Sequence, residues 1–297
     1  METAAPQVTS LFSNQVLSRL ERMRLAFARR VTNKAHGEHL FGRGGQSTEF
    51  SDFRDYAPGD DVRFVDWNAF ARLHRPYIKL FELEEEMHVA LLVDASGSML
   101  FEGKLERARQ LAAAFGVMGL LGVERVSVGA FSGKGLERLL PCTGRASMPK
   151  LFAFLERLEG GGEAPLERGI EEFLKRHAGK GVAIILSDFL TFGDLRRGCN
   201  LLFSAGLDVQ GVQILGPSEL EPELASDSRL VDCESQATLD ITAAADILAL
   251  YQEHREALAR HLTTLCRQRH GRFAAIGSTE PLEDVLFHRL RRGGWMV

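Results

Sequence analysis

Val89-Ala-Leu-Leu-Val93-Asp94-Ala-Ser96-Gly-Ser98-Met99 is the stretch that decides how this chain folds. Its first five residues are apolar without a break, which fits a strand buried on both faces rather than one with a solvated side. The run ends in a carboxylate and passes into a small, Gly-containing loop. Such a loop lets backbone and hydroxyl groups approach a ligand closely. Beyond it, Leu105, Ala108, Leu111, Ala112, Phe115, Met118 and Leu121 trace one helical face.

The alternation continues downstream. Arg125–Phe131 reads as a strand, with Leu136–Leu140 as its hairpin partner, and helices are expected near Ser147–Leu158 and Leu166–His177. A second buried strand, Val182-Ala-Ile-Ile-Leu186, ends in Ser187-Asp188. A helix near Leu195–Ser204, a strand near Val209–Leu215 and a meandering segment around Arg229–Ile241 follow. A long helix from Ala243 to about Arg269, a strand at Phe273–Ile276 and a helix at Pro281–Arg291 complete the pattern. Strand and helix alternating in this way specify an α/β fold, a doubly wound, mostly parallel sheet with helices on both faces.

Upstream, Leu11, Val16, Leu17, Leu20, Met23, Leu25 and Ala26 recur at roughly helical spacing, with Arg19, Glu21, Arg22 and Arg24 on the other face. An amphipathic helix from Leu11 to about Val31 is predicted. A Gly-rich, charged stretch follows. Pro58-Gly59-Asp60 is a turn signal, and Val62–Trp67 and Pro76–Leu83 read as short strands. The expected division is an N-terminal helix within residues 1–35, a small β-rich subdomain at 36–86 and the main domain at 87–297. Arg54, Asp60, Asp61, Arg63, Asp66 and Arg72 supply both charge signs, and structural ion pairing that locks the turns is the favoured reading. Trp67 reads as a packing anchor. Gly42-Arg-Gly-Gly45 lacks the Lys-Ser/Thr pair of a P-loop and is set aside.

Composition bounds the function. The 297 residues are 45% hydrophobic and 26% charged with a net charge of −4, an ordinary globular mixture. No basic excess favours nucleic acid or an anionic membrane, and the cluster Arg289, Arg291 and Arg292 reads as a solvated helix end. Cys142, Cys199, Cys233 and Cys266 are scattered without zinc-ligand spacing, as thiols in a reducing compartment are. No secretory signal precedes the first helix and no apolar run reaches membrane-spanning length. A cytoplasmic monomer is expected.

In doubly wound sheets, ligands sit beyond the carboxyl ends of the strands. Asp94 and Asp188 fall at two such ends. Together with Ser96 and Ser98 they form an all-oxygen set suited to a hard cation such as Mg²⁺. Taken alone, Asp-x-Ser-x-Ser also fits a loop in which the serines cap the next helix and Asp94 receives backbone donors.

The run Leu91–Met99 resembles the metal-ion-dependent adhesion site of von Willebrand factor A domains. In that family the Asp and two Ser hold Mg²⁺ or Mn²⁺ directly or through water. A Thr from another loop and a later Asp complete the shell. The resemblance assigns Asp94, Ser96 and Ser98, with Asp188 as the later Asp. The Thr normally lies in a Gly-Gly-Thr-x-Leu loop, whereas this chain has Gly160-Gly-Gly-Glu163-Ala164-Pro-Leu166. Ala164 stands closest to the missing Thr. Either the site is weakened or Glu163 substitutes for the hydroxyl, and spacing leaves both readings open.

Gly42–Phe50, Arg54-Asp-Tyr56-Ala-Pro58-Gly59-Asp60-Asp61-Val-Arg63, Asp66-Trp67 and Ala71-Arg72 together resemble the signature of the bacterial domain of unknown function 58 family. Many of its members carry N-terminal membrane spans, which this sequence lacks. Members are often encoded beside MoxR-type AAA+ ATPases. The resemblance therefore implies a metal-dependent protein–protein interaction module, an adaptor or assembly partner of such an ATPase, and not an enzyme. A structural scaffold with a degenerate metal site is the alternative. A metal-dependent phosphohydrolase is disfavoured, because haloacid-dehalogenase-like enzymes need a second Asp where Ser96 stands. The GxSxG elbow is also absent. His88 reads as structural.

Overall fold

The computed structural model describes residues 7–26, 32–35, 48–84, 87–122, 124–191, 193–223, 228–231, 238–241 and 244–297. They form two compact units, Met1–Ala28 together with His88–Val297, and Arg29–Met87. Helix α1 (Asn14–Leu20) begins at Ser13, whose hydroxyl accepts from the Val16 amide. It is shorter than the helical spacing predicts. Met23 and Leu25 also satisfy a two-residue period, and here that period wins. Leu25 bridges Met296, Arg24 N donates to Val297 O, and Val297 N returns the bond to Arg24 O. The predicted helix end near Val31 lies outside the described residues.

In the smaller unit, β1 (Thr32–Ala35), β2 (Thr48–Asp55) and β3 (Tyr77–Glu84) form an antiparallel sheet with β3 in the middle. The strand expected at Val62–Trp67 is not one. Val62–Phe64 is a 3₁₀ turn capped by the Asp61 carboxylate, and α2 (Trp67–Leu73) is capped by Asp66, which accepts from the Asn68 and Ala69 amides. Two aspartates at capping positions override the alternating apolar pattern. Five of the signature charges, Arg54, Asp60, Asp61, Arg63 and Asp66, are paired within this unit. Arg54 forks onto Asp60 at 2.7 and 2.6 Å, Arg63 meets Asp61, and Lys79 lies 3.3 Å from Asp66. Trp67 corrects the sequence reading, because it is 60% exposed and packs edge-on against Phe70 rather than anchoring a core. Gly42–Ser47 lie outside the described residues.

The larger unit carries the sheet expected from the alternation. Its strands are β4 (His88–Asp94), β5 (Arg125–Ser132), β6 (Gly135–Cys142), β7 (Gly181–Ser187), β8 (Leu207–Leu215) and, after the small hairpin of β9 (Ser228–Val231) and β10 (Thr238–Ile241), β11 (Phe273–Gly277). Its helices are α3 (Lys104–Leu121), α4 (Met148–Glu156), α5 (Leu166–Leu174), α6 (Leu195–Ser204), α7 (Pro217–Leu220), α8 (Ala244–Arg267) and α9 (Leu282–Asp284), which runs on as a π-helix, Val285–Leu290. The strand order is β11-β8-β7-β4-β5-β6, parallel throughout except for the edge strand β6.

Alternate residues of β4 serve opposite cores, as strand geometry requires. Val89, Leu91 and Val93 join α1, α3, α4 and the π-helix on one face. Ala90 and Leu92 join α5, α6 and α8 on the other. The fold is thus a von Willebrand factor A-like, doubly wound α/β sheet with a small antiparallel sheet near the N-terminus. Helix α3 is buried nearly all round, with Ala112, Ala113, Ala114 and Phe115 each fully enclosed, because α1 and α4 cover the side that the sheet does not. Among the described residues no helix is long and apolar enough to cross a membrane.

Candidate functional site

Strand β4 sits between β5 and β7, and the winding of the sheet reverses there. The chain proceeds outward through β5 and β6, then crosses back to β7, β8 and β11. At such a switch point the connections leave a crevice beyond the carboxyl ends of the two central strands. Asp94 ends β4, and Asp188 directly follows Ser187, the last residue of β7. The topology therefore carries both sequence-predicted carboxylates to one crevice.

Backbone bonds hold the loop after β4 in place. Ala95 N donates to Phe131 O at the end of β5, and Ala95 O accepts from Gly161 N, both at 2.8 Å. Gly97 N donates to Gly162 O, and Gly133 N donates to Gly161 O, again at 2.8 Å. The Gly160–Gly162 segment is thus stitched to the Asp94–Ser98 loop on one side and to the β5–β6 turn on the other. Gly162 has φ +72°, and a Cβ there would fall 2.9 Å from the Gly133 Cα.

Within this clamp, Asp94 is 5% exposed. Its Oδ1 accepts from the Ser96 amide at 2.9 Å, and its Oδ2 accepts from the Ser187 hydroxyl at 2.6 Å. Burial and the neighbouring Asp188 charge push its carboxyl up to about 6, against the pull of the Ser187 and Ser96 bonds. The Ser96 and Ser98 hydroxyl oxygens, both buried, lie 3.1 Å apart. Asp188 is 1% exposed; its Oδ1 accepts from Leu190 N at 3.0 Å, and Gln213 Nε2 donates to its carbonyl at 3.0 Å.

The sequence reading missed Lys104. This first residue of α3 is 2% exposed, and its Nζ donates to Asp188 Oδ2 at 2.8 Å and to Glu219 Oε1 at 2.5 Å. Burial works to lower its affinity for the proton, but Asp188 and then Glu219 outweigh that and hold the ammonium above its ordinary range. Ser187 and Glu219 were missed as well. The sequence offered no signal for Lys104, because the first turns of α3 also carry Glu106, Arg107, Arg109 and Gln110, and a lysine among them reads as part of a solvated helix end.

Glu163 is exposed, and among the described residues its carboxylate makes no hydrogen bond or ion pair. Ala164 packs against the apolar cluster beneath α5 and α6. His88 is remote. It starts β4, six residues or roughly 20 Å of strand from Asp94. Its ring there bonds Ser127 Oγ at 2.9 Å and the Ala178 carbonyl at 3.2 Å. Around the crevice, Leu100, Phe101 and Leu190 are 54%, 55% and 47% exposed.

The uncharacterized protein Rv1480 of Mycobacterium tuberculosis is 27% identical over 252 residues, covering 81% of this chain and 79% of that one. Among solved structures, BatB from Bacteroides thetaiotaomicron is similar at a TM-score of 0.42 and 13% identity, over 69% of this chain and 98% of that one. The SpRpn10 VWA domain is similar at 0.40 and 11%, over 69% and 95%. Residues 52–262 match the family described as protein of unknown function DUF58. The match runs from the signature strand β2 through both carboxylate-bearing strand ends into α8, and the chain belongs to the DUF58 family.

Proposed function

We propose that the chain is a metal-dependent protein–protein interaction module. In this reading Asp94, Ser96 and Ser98 hold Mg²⁺ or Mn²⁺, Asp188 completes the protein's share of the shell, and a partner's Asp or Glu supplies the remaining ligand. The observation that carries it is the gathering of these four buried oxygen-bearing side chains at the switch point. The donor set fits such an ion. Neighbouring ligands of an octahedral Mg²⁺ at about 2.1 Å lie about 3 Å apart, and the two serine oxygens are 3.1 Å apart. Glu163, on the loop that lacks the Thr, is an additional ligand in this proposal, reached by rotation of its exposed side chain.

Exposed Leu100, Phe101 and Leu190 give the rim the apolar surface that a protein partner would bury. The family's frequent encoding beside MoxR-type AAA+ ATPases supports such an ATPase as the partner, met by a cytoplasmic monomer. Against catalysis stand two positions. His88 is at the far end of β4, and Lys104 is a protonated ion-pair member, so neither is a base for a reaction at Asp94. A second reading, a scaffold whose metal site has lapsed, is favoured by one observation, Ala164 in place of the hydroxyl.

Calorimetric titration of Mg²⁺ and Mn²⁺ into the wild type and Asp94→Ala tests the proposal, followed by capture of a MoxR-type ATPase with and without chelator. Saturable binding lost in Asp94→Ala, with chelator-sensitive capture, is expected. No metal binding, with capture indifferent to chelator, would favour the scaffold.

A further inference from the structure

Both oxygens of Asp188 are engaged before any metal arrives, Oδ1 by Leu190 N and Oδ2 by Lys104. Lys104 in turn spans two carboxylates on different elements, Asp188 at the end of β7 and Glu219 in α7. General physics makes this a poor place for a lysine. It is buried, and it opens a helix, where the backbone dipole opposes positive charge. Two carboxylates offset those costs. A divalent ion drawing on Asp188 would face an ammonium on the same group, with twice the repulsion that two single charges at that separation feel.

We infer that Lys104 is an internal counter-cation that shares Asp188 with the divalent ion: without metal it sits on Asp188, and when metal binds it withdraws onto Glu219 alone. The inference rests on the metal-binding reading above and adds a regulatory contact to it. Glu219 is placed to pass the change on. Its Oε2 accepts from Gly216 N at 2.7 Å, capping its own helix, and its carbonyl accepts from Tyr251 Oη at 2.8 Å and Arg255 Nη1 at 2.9 Å on α8. The neighbouring Ser218 amide donates to the Glu102 carboxylate at 3.1 Å, which ties α7 to the turn after Ser98. Occupancy of the crevice is thereby linked to α7 and α8, and the resident ammonium keeps metal affinity low.

The test titrates Mn²⁺ alone into the full chain as wild type, Lys104→Met and Glu219→Gln, with free Mn²⁺ read by electron paramagnetic resonance and folding checked by circular dichroism. Lys104→Met is expected to bind at least tenfold more tightly, because the competitor is gone. Glu219→Gln is expected to bind more weakly than wild type, because Lys104 then has Asp188 as its only carboxylate. Equal or weaker binding by folded Lys104→Met overturns the inference and leaves the metal reading standing. No binding by any of the three proteins removes both. If Lys104→Met does not fold, Glu219→Gln decides: weaker binding supports the inference, and equal or tighter binding overturns it.

Discussion

Glu124 enters β5 with its Oε2 buried and, among the described residues, without a hydrogen-bond partner. Burial pushes its carboxyl up to about 7, and the Arg24 charge only partly opposes this. A carboxyl raised in the folded state favours folding while protonated. That contribution is present at low pH and is lost as pH rises from the ordinary glutamate range near 4.5 through about 7. Glu124→Gln is therefore expected to stabilise the protein at pH 8 by on the order of 1–2 kcal/mol, after discounting for partial exposure, and to change little at pH 5. Urea denaturation at the two pH values measures the difference. Gly162 makes the opposite case. Its positive φ and its approach to Gly133 leave no room for a side chain, so Gly162→Ala is expected to cost roughly 1–3 kcal/mol, seen as a lower urea midpoint at unchanged slope. The residues of the crevice differed in how far sequence exposed them. Asp94, Ser96, Ser98 and Asp188 were legible because each lies at or just past the end of an uninterrupted apolar strand. Lys104 and Glu219 were not, since a lone lysine and a lone glutamate carry no spacing signal; only tertiary proximity identifies them as a pair.

Among the elements, buried strands and long helices announced themselves, because continuous apolar runs and sustained helical periodicity survive any tertiary context. Helix α6 and strand β4 fall where the pattern put them. Short elements gave way to local chemistry instead, as at α2, where Asp61 and Asp66 cap turns that the alternating Val-Arg-Phe-Val run would otherwise extend. Helix α1 was legible as a helix, but its length was decided by the strand-like pairing of Leu25 with Met296. What α1 contributes is a set of apolar side chains in the core beside α3: Val16 and Leu17 are buried and Leu20 fully so, while Phe12, just before the helix, meets Phe152 of α4 edge-on at 6.0 Å. Leu20→Ala leaves a cavity there and is expected to cost about 2–5 kcal/mol. Thermal unfolding would report it, and a loss under 1 kcal/mol would show that α1 is not integral to the core.

At the scale of the whole molecule, the doubly wound topology was readable because strand and helix alternate from His88 onward. The hairpin of β9 and β10 was seen only as a meander, as two four-residue strands hold too few residues to show a period. The larger unit is also discontinuous in sequence. The chain leaves it after Ala28 and re-enters at His88, yet Arg24 and Val297 exchange backbone bonds. On the ribosome, α1 emerges before the residues that pin its trailing end, with more than two hundred others between them. The nascent chain must therefore carry α1 without that clasp while all the residues between them are made. Closing residues 25 and 296 against each other joins two distant points of the polymer, so the clasp belongs among the late events of folding.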